Sequence, residues 1–122
     1  MERCPCREDQ HPDADHVGFD CHVIHVQGGH VIICLHGEID SLTAPTLQEC
    51  LDQQLAPTAQ AASVDVELMH ATFLDARGIT TLLLAARTAR LSAVDFRITG
   101  CSSRLLRLFD LVGVREEVAV TS

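Results

Sequence analysis

VDVELMHATFLDARGITTLLL, residues Val64 to Leu84, decides how the rest of this chain is arranged. It opens with a short apolar run of strand length, Val64 to Leu68. A compact segment, Met69 to Leu74, leads to Asp75-Ala76-Arg77-Gly78. From Ile79 onward the apolar residues Ile79, Leu82, Leu83, Ala86 and Ala89 recur at helical spacing. The reading is a strand that turns a tight corner into an amphipathic helix, with Asp75 as N-cap. The first turn of such a helix holds backbone N–H groups without intrahelical partners, which favour anions. Here a methyl group, Ala76, and a cation, Arg77, occupy a place whose geometry suits a phosphate.

On the N-terminal side, Phe19 to Val26 and Val31 to Ile39 read as two strands joined through Gln27-Gly28-Gly29-His30, a hairpin signal. A two-residue Gly28-Gly29 turn pairs Val26 with Val31, Ile24 with Ile33 and His22 with Leu35, and turns that face to the core. Cys21, Val23, His25, Ile32, Cys34 and His36 then share the opposite face. A helix from Ala44 to Leu55 follows, capped by Ser41 or Thr43 and with Pro45 in its first turn. Its apolar residues Leu47, Cys50, Leu51 and Leu55 lie on one side. Pro57 ends it within a small-residue loop, Ala56 to Ser63.

On the C-terminal side, Asp95 to Thr99 is a short strand ending at Gly100. Ser102 or Ser103 caps a last helix bearing Leu105, Leu106, Leu108, Phe109 and Val112, and Gly113 fits its C′ position. Residues Met1 to His16 are polar and aperiodic, and are expected to form a disordered tail. The Cys4-Pro5-Cys6 element within it falls short of a zinc-ligand pattern.

Three motifs carry a family resemblance. Asp75-Ala76-Arg77-Gly78-Ile79 resembles the signature of the STAS domain, which in its free-standing form is the bacterial anti-sigma factor antagonist. In that family the corner reads Asp-Ser-Ser/Thr-Gly-Leu/Ile, and the serine after the aspartate is phosphorylated. Asp75, Gly78 and Ile79 match, while Ala76 stands at the phosphoacceptor position. Gly37-Glu38-Ile39-Asp40 resembles a second family motif, and Ser103 to Gly113 resembles the C-terminal helix of stress-response antagonists.

The order strand, strand, helix, strand, helix, strand, helix predicts an α/β domain over residues 17–122, with a mixed, mostly parallel sheet and helices mainly on one face. The turns Asp40-Ser41, Asp75 to Arg77 and Gly100 to Ser102 are expected to gather at one sheet edge. By resemblance, the partner-binding surface comprises Asp40, Ser41, Asp75, Ala76, Arg77, Gly78, Ile79 and Thr81. The resemblance also implies a partner, an anti-sigma factor of the histidine-kinase-like ATPase type. Without its serine, the chain would be an antagonist that is not switched by phosphorylation at the corner. Two other readings stay open: a STAS subunit of a membrane lipid-transport ATPase, and a thiol-based redox or metal-responsive sensor.

Composition narrows the classes. The net charge is −8, with nine basic residues, all arginine, and no tryptophan or tyrosine. Clustered positive charge and stacking platforms are both missing, so nucleic acid is not an expected partner. No apolar run is long enough to cross a bilayer, and the N-terminus lacks the apolar centre of a secretory signal. The expectation is a cytoplasmic protein whose cysteines are mostly thiols or metal ligands. Asp40 and Asp75 are a strand end and a helix cap rather than a catalytic pair, so no enzyme and no cofactor is expected. Cys101 has two readings: a thiol activated by the helix it precedes, or a small residue in a turn. Arg77 also has two. It opposes the helix macrodipole at about 0.3–1 kcal/mol when exposed, or it meets a carboxylate or phosphate of a partner. With the expected turn, Cys21, Cys34 and His36 could approach one metal ion, with His25, Cys4 or Cys6 as a fourth ligand. Cys21 and Cys34 could instead form a diagonal disulfide.

Overall fold

Alternating apolar residues on neighbouring strands place one continuous layer of side chains under the helices. In the computed structural model, which describes residues 19–122, the strands are β1 (Phe19–Val26), β2 (His30–Ile39), β3 (Ser63–Leu74), β4 (Asp95–Thr99) and β5 (Ala119–Val120). The helices are α1 (Ala44–Leu55), α2 (Ala76–Leu91) and α3 (Ser103–Val112). The strands lie in the order β1-β2-β3-β4-β5, with β1 antiparallel to β2 and every other pair parallel. Val31 and Ile33 stand beside Val64 and Val66, those beside Phe96 and Ile98, and Ile98 beside Val120. Leu47 and Leu51 of α1, Leu82 and Ala86 of α2, and Leu105 and Phe109 of α3 close over this face in a single core. All three helices therefore lie on one side of the sheet, as right-handed crossovers dictate. The expected tail, Met1 to His16 with Cys4 and Cys6, and the domain start at Val17 lie outside the described residues.

The other face is polar where strands β2 to β4 meet. Asp65 accepts two bonds from Arg97, at 2.9 and 3.3 Å, and His30 Nε2 lies 3.5 Å from the same carboxylate. Glu67 Oε1 accepts the Met69 N–H at 2.9 Å.

That last bond marks a departure from the expected pattern. β3 does not stop at Leu68; it runs on to Leu74, with irregularities opposite β2 between Cys34 and His36 and between Gly37 and Glu38. Each bulge shifts the side-chain alternation by one, so Met69 to Leu74 loses its strand signature in the sequence. The Glu67 carboxylate satisfies the Met69 amide at the first bulge.

The hairpin also differs. Its turn has three residues, Gln27 to Gly29, and Val26 pairs with His30. Ile24 now faces Ile32, His22 faces Cys34 and Cys21 faces Leu35. A slip of one residue reverses every β1 side chain. Cys21 and Val23 pack toward the helical core, while Cys34 and His36 keep the opposite side. Thr43 is the N-cap residue of α1, yet its side chain makes no cap bond. β5 has no counterpart in the sequence pattern, because two residues carry no periodicity.

Phe109 is fully buried and Leu91 is 90% exposed. Phe109→Ala is expected to cost about 3–5 kcal/mol and Leu91→Ala less than ~0.5 kcal/mol, both read from urea unfolding midpoints.

Candidate functional site

The β3–α2 corner is built by a few backbone bonds. Asp75 has extended backbone geometry, and its Oδ1 accepts the Gly78 N–H at 3.1 Å, the N-cap bond its position predicts. The Asp75 N–H donates to Ile39 O at 3.1 Å, which ties the corner to the end of β2. From that same end Asp40 starts α1. Its Oδ1 accepts the Leu42 and Thr43 N–H groups at 2.9 and 3.1 Å, while the Thr43 hydroxyl donates to Glu38 O at 2.8 Å. Asp40 thus does the work expected of Ser41 or Thr43.

Gly78 lets α2 approach the sheet. A Cβ there would stand 2.5 Å from Leu74 Cδ1, 2.7 Å from Ile39 Cγ2 and 3.2 Å from Ile39 O. Both neighbouring side chains are buried and have little room to move.

Of the eight expected site residues, Ser41, Ala76 and Arg77 are exposed, and Asp40 and Asp75 half-buried. Gly78, Ile79 and Thr81 are buried. Thr81 donates its hydroxyl to Arg77 O at 2.9 Å and forms the floor of a groove rather than an outward contact. This groove, of about 530 Å³, runs between α1 and α2 and is lined by Ala44, Pro45, Gln48, Arg77, Thr80, Thr81 and Leu84. Pro45, Gln48, Thr80 and Leu84 were missed by the sequence reading. The i, i+3, i+4, i+7 row of Arg77, Thr80, Thr81 and Leu84 was the available signal, and only the packing of α1 on α2 shows which side it faces. Leu42, beside Ser41, is 86% exposed.

The third turn, Gly100 to Ser102, joins the other two only in part. β4 leaves the sheet opposite Glu67, whereas β3 continues to Leu74. The space this leaves is a cleft of about 390 Å³ between Ala71 to Leu74 and the start of α3. Gly100 has φ +69°, and a Cβ on it would collide with the Glu67 carboxylate.

The sequence model of the STAS domain matches residues 22–122. The chain belongs to this family. The anti-sigma-B factor antagonist of Listeria monocytogenes is 26% identical over 91 residues, which cover 75% of this chain and 78% of that protein. An anti-sigma factor antagonist from Mycobacterium paratuberculosis has the same fold, with a TM-score of 0.76 at 19% identity over 85% of this chain and 86% of that one. The phosphorylated form of the Bacillus cell fate determinant SpoIIAA gives 0.66 at 16% identity, over 84% of this chain and 92% of that one.

The expected thiol cluster of this STAS domain does not assemble. Cys21 faces the helices, and Cys34 and His36 lie buried on the other side of the sheet. Cys21, Cys50 and Cys101 are free thiols, while Cys34 is disulfide-bonded. The Cys21–Cys34 bridge is thereby excluded. Among the described residues no group of three or more His, Cys, Asp or Glu side chains could hold a metal ion. His36 instead contacts two rings, His22 edge-on at 5.0 Å and His70 stacked at 4.7 Å. Cys101 is buried, and burial pushes its thiol up to about 12, with the Glu67 charge adding to the effect and Arg115 opposing it. Burial thus works against the activated-thiol reading of Cys101 and favours that of a small residue packed in a turn.

Gly78→Ala sets overpacking, about 1–3 kcal/mol, against a helix-propensity gain of at most ~1 kcal/mol. The expected result is a net loss of about 1–2 kcal/mol in denaturant unfolding. Ala76→Ser, on the exposed side of the same turn, should change stability by less than ~0.5 kcal/mol.

Proposed function

We propose that this STAS domain is a cytoplasmic binding module, not an enzyme, whose partner is an anti-sigma factor of the histidine-kinase-like ATPase type. Binding that partner would free a sigma factor. The observation that carries this reading is the exposed first turn of α2, where Ala76 and Arg77 face solvent and Arg77 lines the groove between α1 and α2. Similar proteins support it: the Listeria and Staphylococcus epidermidis relatives are anti-sigma-B factor antagonists. SpoIIAA, a structural neighbour, exists in unphosphorylated and phosphorylated forms. Ala76 has no hydroxyl, so this corner has no acceptor at the residue after the capping aspartate. We read it as an antagonist held in the binding-competent state. Arg77 then offers its guanidinium to an acidic group of the partner. Among the described residues no helix is long and apolar enough to cross a membrane.

The partner is tested by capture from lysate of the source organism with the tagged chain, followed by a binding measurement on the purified candidate. Recovery of an ATPase-fold anti-sigma factor is expected; recovery of a transporter assembly instead would overturn the reading. With the partner in hand, Ala76→Glu should leave the fold intact, since an anion suits a helix N-terminus, and weaken binding tenfold or more, about 1.4 kcal/mol. Unchanged affinity would move the interface away from the corner.

Phosphorylation gives a separate check. Incubation with the cognate kinase and labelled ATP should leave the corner and α2, Asp75 to Arg87, unlabelled, because Thr81 is buried and the Thr80 hydroxyl is bonded to Ala76 O at 2.9 Å. The double change Ala76→Ser, Arg77→Ser should make the corner a substrate.

A further inference from the structure

Register brings together two cysteines that lie 29 positions apart in the chain. Pairing with Leu35 turns Cys21 toward the helices, and Cys50 sits at the edge of the buried stripe of α1, between Leu47 and Leu51. The two sulfur atoms stand in direct contact, 2.6 Å apart. Both residues are half-buried, so a small oxidant reaches them while the surrounding core holds their geometry. A covalent S–S bond is about 2.05 Å long, so a closure of about half an ångström joins them.

We propose that Cys21 and Cys50 are a redox-controlled pair, and that a peroxide oxidises them to a disulfide tying β1 to α1. The chemistry balances with one peroxide per pair. One of the two sulfurs, as thiolate, attacks one peroxide oxygen; the O–O bond breaks, the departing hydroxide takes up a proton as water, and that cysteine becomes a sulfenic acid. The sulfur of the other cysteine then attacks the oxidised sulfur. The S–S bond forms, the S–O bond breaks, and the leaving hydroxide takes the second thiol's proton as a second water. The sulfurs lose two electrons and the peroxide gains them. A dithiol reverses the step by exchange.

Contact between the two sulfurs means that ionisation of one discourages ionisation of the other, so a single thiolate attacks and its neighbour resolves. Cys101, which burial pushes up to about 12, serves as an internal control. α1 also supplies Ala44, Pro45 and Gln48 to the groove.

The test uses the full chain without a tag, reduced, desalted and exposed to one equivalent of hydrogen peroxide. Remaining thiols are alkylated, and the chain is cut after glutamate. Cleavage at Glu38 and Glu49 separates Cys21 from Cys50. The expected product is a cross-linked peptide pair two hydrogens lighter than its parts, with Cys21 rather than Cys34 placed at the bond by fragmentation. It should vanish in Cys21→Ser and Cys50→Ser, persist in Cys34→Ser and open with dithiothreitol, while Cys101 is alkylated only after unfolding. The bond closes a loop of about 30 residues, so oxidised protein should melt several degrees above reduced protein. In Cys21→Ser or Cys50→Ser, dimedone should trap a sulfenic acid on the remaining cysteine of the pair. A folded wild-type chain without the cross-link, or a cross-link that survives Cys21→Ser, would overturn the proposal.

Discussion

The backbone of α2 reaches the sheet at Gly78, where any Cβ would press on Leu74 Cδ1 and Ile39 Cγ2. The geometry of the corner depends on this approach. It leaves the Asp75 N–H within reach of Ile39 O and the Gly78 N–H within reach of the Asp75 carboxylate. The strand end, the helix start and the end of β2 are thereby joined in one small volume. Asp40, the next residue of β2, launches α1 from the same place through its own carboxylate. Both helices consequently begin side by side, with a groove between them and the first turn of α2 facing outward. Ala76 and Arg77 are exposed because Gly78 and Ile79 take the inward positions of that turn. The feature that suggests recognition thus follows from a packing constraint two residues away.

The sheet has a different chemistry on each side. Under the helices it is continuously apolar, which supplies the driving force for the fold. The helix-free face carries the Asp65–Arg97 pair with His30 alongside, and a Glu67 carboxylate that serves a bulge amide. The Arg97 side chain is 43% exposed, so this pair contributes at most about 1 kcal/mol. Its role is more one of register: Asp65 and Arg97 are directly paired on β3 and β4, and a slip would separate their charges. The ring contacts of His22, His36 and His70 lie on this same side, drawn together by the pairing of three strands rather than by any local motif.

Much of the secondary structure was legible because its signals act within a turn of chain. The Asp75 cap, the Ser102 cap on Leu105, the left-handed Gly113 after α3, and the helical rows of α1 and α2 each depend on residues three or four positions apart. The one-sided α/β architecture followed from the order of elements and the handedness of crossovers. The family was legible for the same local reason, since its motifs are short runs at Asp40, Asp75 and α3.

What the sequence could not determine involves partners far apart in the chain. A three-residue turn and a two-residue turn are both compatible with Gln27 to His30, yet they send Cys21 to opposite faces. The bulges in β3 arise from its pairing with β2, and erase the alternation that would have announced a strand. β5 exists only because β4 offers it an edge. Thr81 and Cys101 are polar or reactive types whose burial comes from elements packed over them. Sequence alone thus determined the elements, their caps and their order, because those energies are local. The tertiary structure decided the register, the groove and the meeting of Cys21 with Cys50, because strand pairing and helix packing join residues that share no local signal.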